Sequence, residues 1–213
     1  EVTHADVTEW SVPRDFKQLV YCVQGKAAEA NGVYVTTLGA GPGRPVAKGP
    51  SRFYRPTWDE KQTRLAFFAS DLPPDAKKPE EKKEDAPPAK LRVYVWDRSG
   101  EADAVEVLNP STPGLPAGRG FVDRGGLAFS ADGTKLAINT APLPKPPAKK
   151  AEVKPEDKVE LDIWHWKDDA IQPMQKVRAA ADRTRSFRGV YLLDSKQFRQ
   201  LSDADTDVAV PDH

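Results

Sequence analysis

The chain carries a single cysteine, Cys22, among its 213 residues, so no internal disulfide can form and a small disulfide-stapled scaffold is excluded. Cys22 is expected to be a buried apolar thiol. No run approaches 18 apolar residues, so no helix of this sequence spans a bilayer. Charge of one sign is missing as well. The 32 Lys and Arg cancel 32 Asp and Glu, which leaves no overall field to draw in phosphate backbones or anionic lipid, and neither nucleic acid nor a membrane is an expected partner. The chain opens at Glu1 without a methionine or an apolar leader, and the expectation is a processed product or an excerpt of a longer polypeptide.

Reactive side chains are equally scarce. The histidines are His4, His165 and His213, the first and last near the ends, where order is least expected. His165 alternates with Trp164 and Trp166, so on a strand it faces opposite to them; it is read as structural, capping a loop or bonding a backbone carbonyl. No GxSxG elbow, phosphate loop or Cys/His cluster with ligand spacing occurs. The glycines of GAGPGRP, from Gly39, precede no helix and are interrupted by prolines, so this is a hairpin connection. Asp203, Asp205 and Asp207 resemble part of a calcium loop without its Gly and terminal Glu, and read as a turn or strand entry. No catalytic, cofactor-binding or metal-ligating residue is therefore assigned, and no cofactor is expected.

What the chain does have is short apolar runs rich in β-branched and aromatic residues, separated by turn residues: Leu19 to Val23, Val33 to Val35, Leu65 to Phe68, Leu91 to Trp96, Leu136 to Ile138, Leu161 to Trp166 and Val190 to Leu193. These read as strands. One helical excursion is expected over Gln172 to Arg185, where Met174, Val177 and Ala181 recur at spacings of three and four.

The runs repeat. WDEKQTRLAFFAS, from Trp58, aligns without gaps on FSADGTKLAINTA, from Phe129, at an offset of 71, matching Thr63 with Thr134, Arg64 with Lys135, Leu65 with Leu136 and Ala66 with Ala137. LRVYVWDR from Leu91 matches LDIWHWKD from Leu161 at an offset of 70. A looser copy opens the chain, with Trp10 set against Trp58 at an offset of 48. Each copy holds a polar turn, an inner apolar strand, a V-Y-V-W-D strand and a weak outer strand such as Val105 to Leu108 or Phe198 to Leu201.

Four short antiparallel strands per repeat make a propeller blade, which must bury both sheet faces against neighbours. The fold class is all-β: a partial β-propeller of about three four-stranded antiparallel blades with one short helical insertion. The first blade, partial, covers 1–50, the second 51–118 and the third 119–213. The tryptophans, which beside Arg and Lys are also the ingredients of a base-stacking surface, read as core at regular blade positions, with Trp96 and Trp166 as the inter-blade packers. For the third strand of the last blade Leu161 to Trp166 and Val190 to Asp194 both fit; the offset favours the first, with the second as outer strand. Loops 71–90 and 141–158, dense in Lys, Glu and Pro, are insertions between second and third strands and read as solvated loops, while the third blade's other insertion, 170–186, is the helical excursion before its outer strand.

VELDIWHWKDDAIQPMQKVRAAADRTRSF, from Val159 to Phe187, with LAFSADGTKLAINTAPLP before it, resembles the N-terminal β-propeller of bacterial prolyl oligopeptidase family serine peptidases. FSADGTKLA by itself is similar to propeller repeats of many periplasmic proteins, including the TolB type. The first resemblance implies a propeller that caps an α/β-hydrolase domain following it in the same polypeptide, screens peptide substrates and steers them to a Ser-Asp-His triad housed there. It carries over no catalytic residue, because no triad motif has a counterpart here. It also implies a periplasmic or secreted protein. Three blades cannot close a ring and would leave a strand edge and two apolar faces open, so the expected partners are further blades and the hydrolase domain of the same polypeptide, or other copies of the chain. A TolB-like binding or scaffolding propeller and a self-assembling structural subunit are the alternatives.

Overall fold

The computed structural model describes residues 3–25, 27–71, 90–98, 101–143, 173–174, 185–203 and 206. Three antiparallel sheets account for its strands. The first runs β1 (Val7–Ser11), β2 (Gln18–Val23), β3 (Gly32–Thr37), β4 (Arg44–Lys48), and the second β5 (Arg52–Trp58), β6 (Arg64–Ser70), β7 (Leu91–Asp97), β8 (Val105–Leu108), each hydrogen-bonded in chain order. The third orders β10 (Ala128–Phe129), β11 (Lys135–Pro142), β12 (Phe187–Leu192) and β13 (Gln197–Gln200), with β9 (Arg119–Val122) pairing a further stretch of β11. Its inner strand is thus broken in two: Ala128 and Phe129 lie opposite Ala137 and Leu136, while Arg119 to Val122 lie opposite Pro142 to Asn139. These are three successive four-stranded meanders, the partial β-propeller that the repeats predict.

The middle sheet shows why stacking holds them. RLAFFAS of β6 is apolar without a break, as a strand covered on both faces requires. Leu65, Phe67 and Ala69 face the first blade, where they pack with Val20, Cys22, Val33, Val46, Phe53 and Trp96. Ala66 and Phe68 face the third blade, packing with Leu91, Val93, Phe121, Leu136, Ile138, Tyr191 and Phe198. Successive residues of one strand therefore feed two cores. Trp96, expected between blades, is buried there with 1% of its surface exposed.

The repeated turn is reproduced bond for bond. In the second blade Asp59 N donates to the Arg64 carbonyl (3.0 Å) and Gln62 N to the Asp59 carbonyl (3.0 Å); in the third, Ser130 N donates to the Lys135 carbonyl (3.0 Å) and Gly133 N to the Ser130 carbonyl (2.8 Å). Both pairs keep the offset of 71. The position before Thr63 and Thr134 needs a left-handed backbone, with φ +56° at Gln62 and +71° at Gly133. Gln62 bears the steric cost that Gly133 avoids. We expect Gln62→Gly to change stability by between zero and a gain of about 1 kcal/mol, read by urea denaturation; a loss above about 1 kcal/mol would show that the Gln62 side chain, which accepts a bond from Arg14 N, outweighs the backbone.

Asp132 closes the third-blade turn. Its carboxylate accepts from the Ser130 hydroxyl (2.5 Å), the Thr134 amide (3.1 Å) and the Thr134 hydroxyl (2.8 Å). The Ser130 bond first, then those from Thr134, with nearby Lys135 last, hold the carboxyl well below the usual range. A carboxyl whose pKa falls on folding adds stability above its unfolded pKa, and that stability is lost as acid protonates it. Asp132→Asn should therefore melt closer to the parent at pH 2 than at pH 6, in a thermal series across that interval; an equal gap at both ends would refute the assignment.

Three readings are corrected. The third strand of the last blade is Phe187–Leu192, and the outer strand is Gln197–Gln200. Pairing of Leu136 with Tyr191 turns Tyr191 into the core at 4% exposure, and that burial decided the strand where a constant offset misled, because a longer connection costs little free energy. Leu161 to Trp166, including Trp164, His165 and Trp166, lies outside the described residues. Trp10 is not an inter-blade aromatic: it is 68% exposed and pairs with Tyr21, while Trp58 pairs with Leu65 and packs against the first core. The connection predicted from 141 begins two residues later, since Ala141 and Pro142 belong to β11. Of the predicted helix, Pro173, Met174 and Arg185 alone are described; Pro173 and Met174 are helical, and Met174 is exposed.

Candidate functional site

The inner strands of the three blades converge on an open trough of about 490 Å³. Thr8 to Ser11 of β1, Arg55 to Thr57 of β5, and Gly126 and Leu127 ahead of β10 line it. A bulge shapes its floor. Between Tyr54, opposite Phe68, and Thr57, opposite Ala66, β5 carries one residue too many for its partner, and the chain absorbs it by turning Arg55 to φ +55°. A non-glycine residue there stores about 1–3 kcal/mol of backbone strain, held by what it touches.

Three blades hold it. The Arg55 amide donates to Oε2 of Glu9 on the first blade (2.5 Å), and its guanidinium Nη1 donates to the Asp123 carbonyl of the third. Beside it the Tyr54 hydroxyl donates to Oδ2 of Asp123 (3.2 Å); burial first, then the Asp123 charge, keeps that phenol protonated well above its ordinary range. Indole Nε1 of Trp58 donates to the Ser11 hydroxyl (2.9 Å). The trough thus presents a carboxylate, a guanidinium, threonine hydroxyls and the exposed Trp10 ring on a fixed wall. These groups offer a ligand charge, hydrogen bonds and an apolar ring.

The residues singled out in the sequence lie elsewhere. Cys22 is fully buried between the first two sheets, its thiol pushed up to about 12 chiefly by burial. It should resist a thiol reagent at pH 8 in the folded chain and react on unfolding; native-state labelling within minutes would contradict that placement. His4 rests on the Tyr21 ring at 4.5 Å between centroids. Gly39 falls in the connection between β3 and β4, at φ +81°. Asp203 accepts from Thr206 N (2.8 Å) and closes a turn, whereas His213, Asp205 and Asp207 lie outside the described residues. Among the described residues no three His, Cys, Asp or Glu side chains are placed to hold a metal, and no helix is long and apolar enough to cross a membrane.

Sequence reasoning missed Glu9, Arg55 and the Asp123 to Leu127 loop. One signal was available: Pro56 interrupts an otherwise strand-like run, and proline in a strand marks an edge or a bulge.

No known protein family matches the chain, and no curated protein does. Solved structures of similar shape include a putative TolB from Agrobacterium tumefaciens (TM-score 0.45, 9% identity, 94% of this chain and 48% of that one) and the hydrazine synthase of Kuenenia stuttgartiensis (0.44, 10%, 95% and 61%). A prolyl endopeptidase is more distant (0.28, 12%, 91% and 28%). The chain spans less than two thirds of each, and at these identities they say nothing of what it binds or does.

Proposed function

We propose that this chain is the non-catalytic propeller portion of a serine peptidase, periplasmic or secreted, whose inner wall receives an extended peptide and steers it toward an α/β-hydrolase domain later in the same polypeptide. The observation that carries the reading is the trough itself: every blade contributes to it, and Glu9, Trp10 and Arg55 offer a peptide both charge and an apolar ring. The wording of Val159 to Phe187 supports the link to a peptidase. In this reading nucleophile, base and acid come from the hydrolase domain, and the blades contribute binding and exclusion.

The sequence downstream of His213 tests it. Further repeats followed by a GxSxG elbow, then Asp and His in that order, support the peptidase; a stop codon at that point refutes it. The full polypeptide should label with a fluorophosphonate while the present chain stays unlabelled and hydrolyses no peptide. A second reading, a TolB-like binding propeller with no enzyme attached, is favoured by the fact that all the trough's groups belong to the blades and require no second domain. Both readings place peptide in the trough. Trp10→Ala should weaken binding of an unstructured peptide by about tenfold, the worth of one exposed aromatic contact, and leave the urea midpoint in place. Unchanged affinity would remove the trough from either reading. Light scattering on the isolated chain tests the structural alternative, since self-assembly through the open faces demands a multimer.

A further inference from the structure

We propose that Arg119 and Arg185, converging on the ring of Phe187, form a carboxylate-binding site on the third blade, apart from the trough and independent of the peptidase reading. Arg119 opens β9 and Phe187 opens β12, on either side of β11. Phe187 lies opposite Thr140 and Arg119 opposite Pro142, two residues apart, so the two side chains leave the same face of the sheet. The guanidinium of Arg119 sits 4.3 Å from the ring centroid, and that of Arg185 sits 5.3 Å from it. One aromatic ring therefore holds two permanent positive charges.

Arg44, Arg92 and Arg98 each meet a carboxylate, of Asp103, Asp71 and Asp15. Among the described residues Arg119 and Arg185 meet none, and Nη1 of Arg119 is sealed from water with no hydrogen-bond acceptor. A buried donor without an acceptor is costly, more so when charged. Ring attraction explains why a guanidinium lies over Phe187; it does not explain two like charges gathered on one ring. A planar anion with two oxygens fits this pair, taking parallel N–H bonds from the rigid fork of the exposed Arg185 in the field of the second guanidinium on the same ring. A carboxylate has that shape and charge. Its source is either an Asp or Glu side chain or the end of a peptide.

Calorimetric titration of the full chain at low salt and pH 7 decides it, with four probes: acetyl-Gly-Glu-Gly-amide, acetyl-Gly-Gln-Gly-amide, acetyl-triglycine as the free acid, and inorganic phosphate. At least one carboxylate peptide should bind about tenfold or more tightly than the Gln peptide, and the stronger of the two identifies side chain or chain end as the source. Arg185 is exposed, so Arg185→Gln should reduce that binding about tenfold with the melting temperature unmoved. Arg119→Gln, which removes the second positive charge, should also weaken it. Equal binding of the Gln peptide, unchanged affinity in Arg185→Gln, tighter binding of phosphate than of either carboxylate, or no binding of any probe below about 10 mM would each overturn the assignment.

Discussion

Trp96→Ala should cost about 3–5 kcal/mol, the range for truncating a fully buried large aromatic. The side chain stands at the seam of the first two blades, between Val20, Val33 and Val46 on one side and Phe53 and Leu65 on the other. Trp58 meets it edge-on at 6.3 Å, the Arg44 guanidinium lies 6.0 Å from its ring, and its Nε1 donates to the Ala102 carbonyl (3.2 Å). Removing the indole opens a cavity shared by two sheets and leaves that carbonyl without its donor. Against a typical domain stability of about 5–15 kcal/mol, the loss brings the chain close to unfolding. Trp96→Phe keeps most of the volume and should cost about half as much. Trp10→Ala, the same chemical change at an exposed site, should stay within about 0.5 kcal/mol. Urea midpoints of the three variants measure this, and a Trp96→Ala loss below about 1 kcal/mol would mean the blades are not packed as described.

Phe198→Ala should be nearly as damaging, for a reason that includes its neighbour. The ring is 2% exposed, meets Phe121 edge-on at 5.1 Å and lies over Gly189 on the adjacent strand. A Cβ at Gly189 would fall within the space of that ring, so the missing side chain of one strand is filled by the aromatic of the next. Phe198→Ala is expected to cost about 3–5 kcal/mol. Gly189→Ala alone should cost about 1–3 kcal/mol through overpacking, because Phe121 blocks the ring from moving aside. In the double variant the clash is gone, so the combined loss should fall short of the sum by about 1 kcal/mol or more. Additive losses would show that ring and glycine do not share this space.

Much of the architecture was legible before any coordinates. Alternation and β-branching marked the strands, and the match of Trp58 to Ser70 with Phe129 to Ala141 foretold a turn whose hydrogen bonds repeat at the same offset of 71. Local hydrogen bonding and side-chain periodicity are written residue by residue, so a reader of residues recovers them. That each blade must bury both faces followed from four strands per repeat, and β6 meets that demand by feeding two cores.

Three things did not follow. The last blade recruits Phe187–Leu192 as its third strand because Tyr191 is buried against the second blade, a gain that exists once the sheets are stacked and that no spacing along the chain encodes. The trough exists because β1, β5 and the approach to β10, spread along the chain from Thr8 to Leu127, come together, and because one extra residue in β5 forces Arg55 into a left-handed turn that Glu9 and Asp123 then hold. The two arginines on Phe187 lie far apart in sequence and meet across β11. Strand identity and turn shape are local energies, and the sequence by itself determined them; strand choice among equals, and which polar side chains meet, are decided by long-range burial and charge, and these only the tertiary structure set.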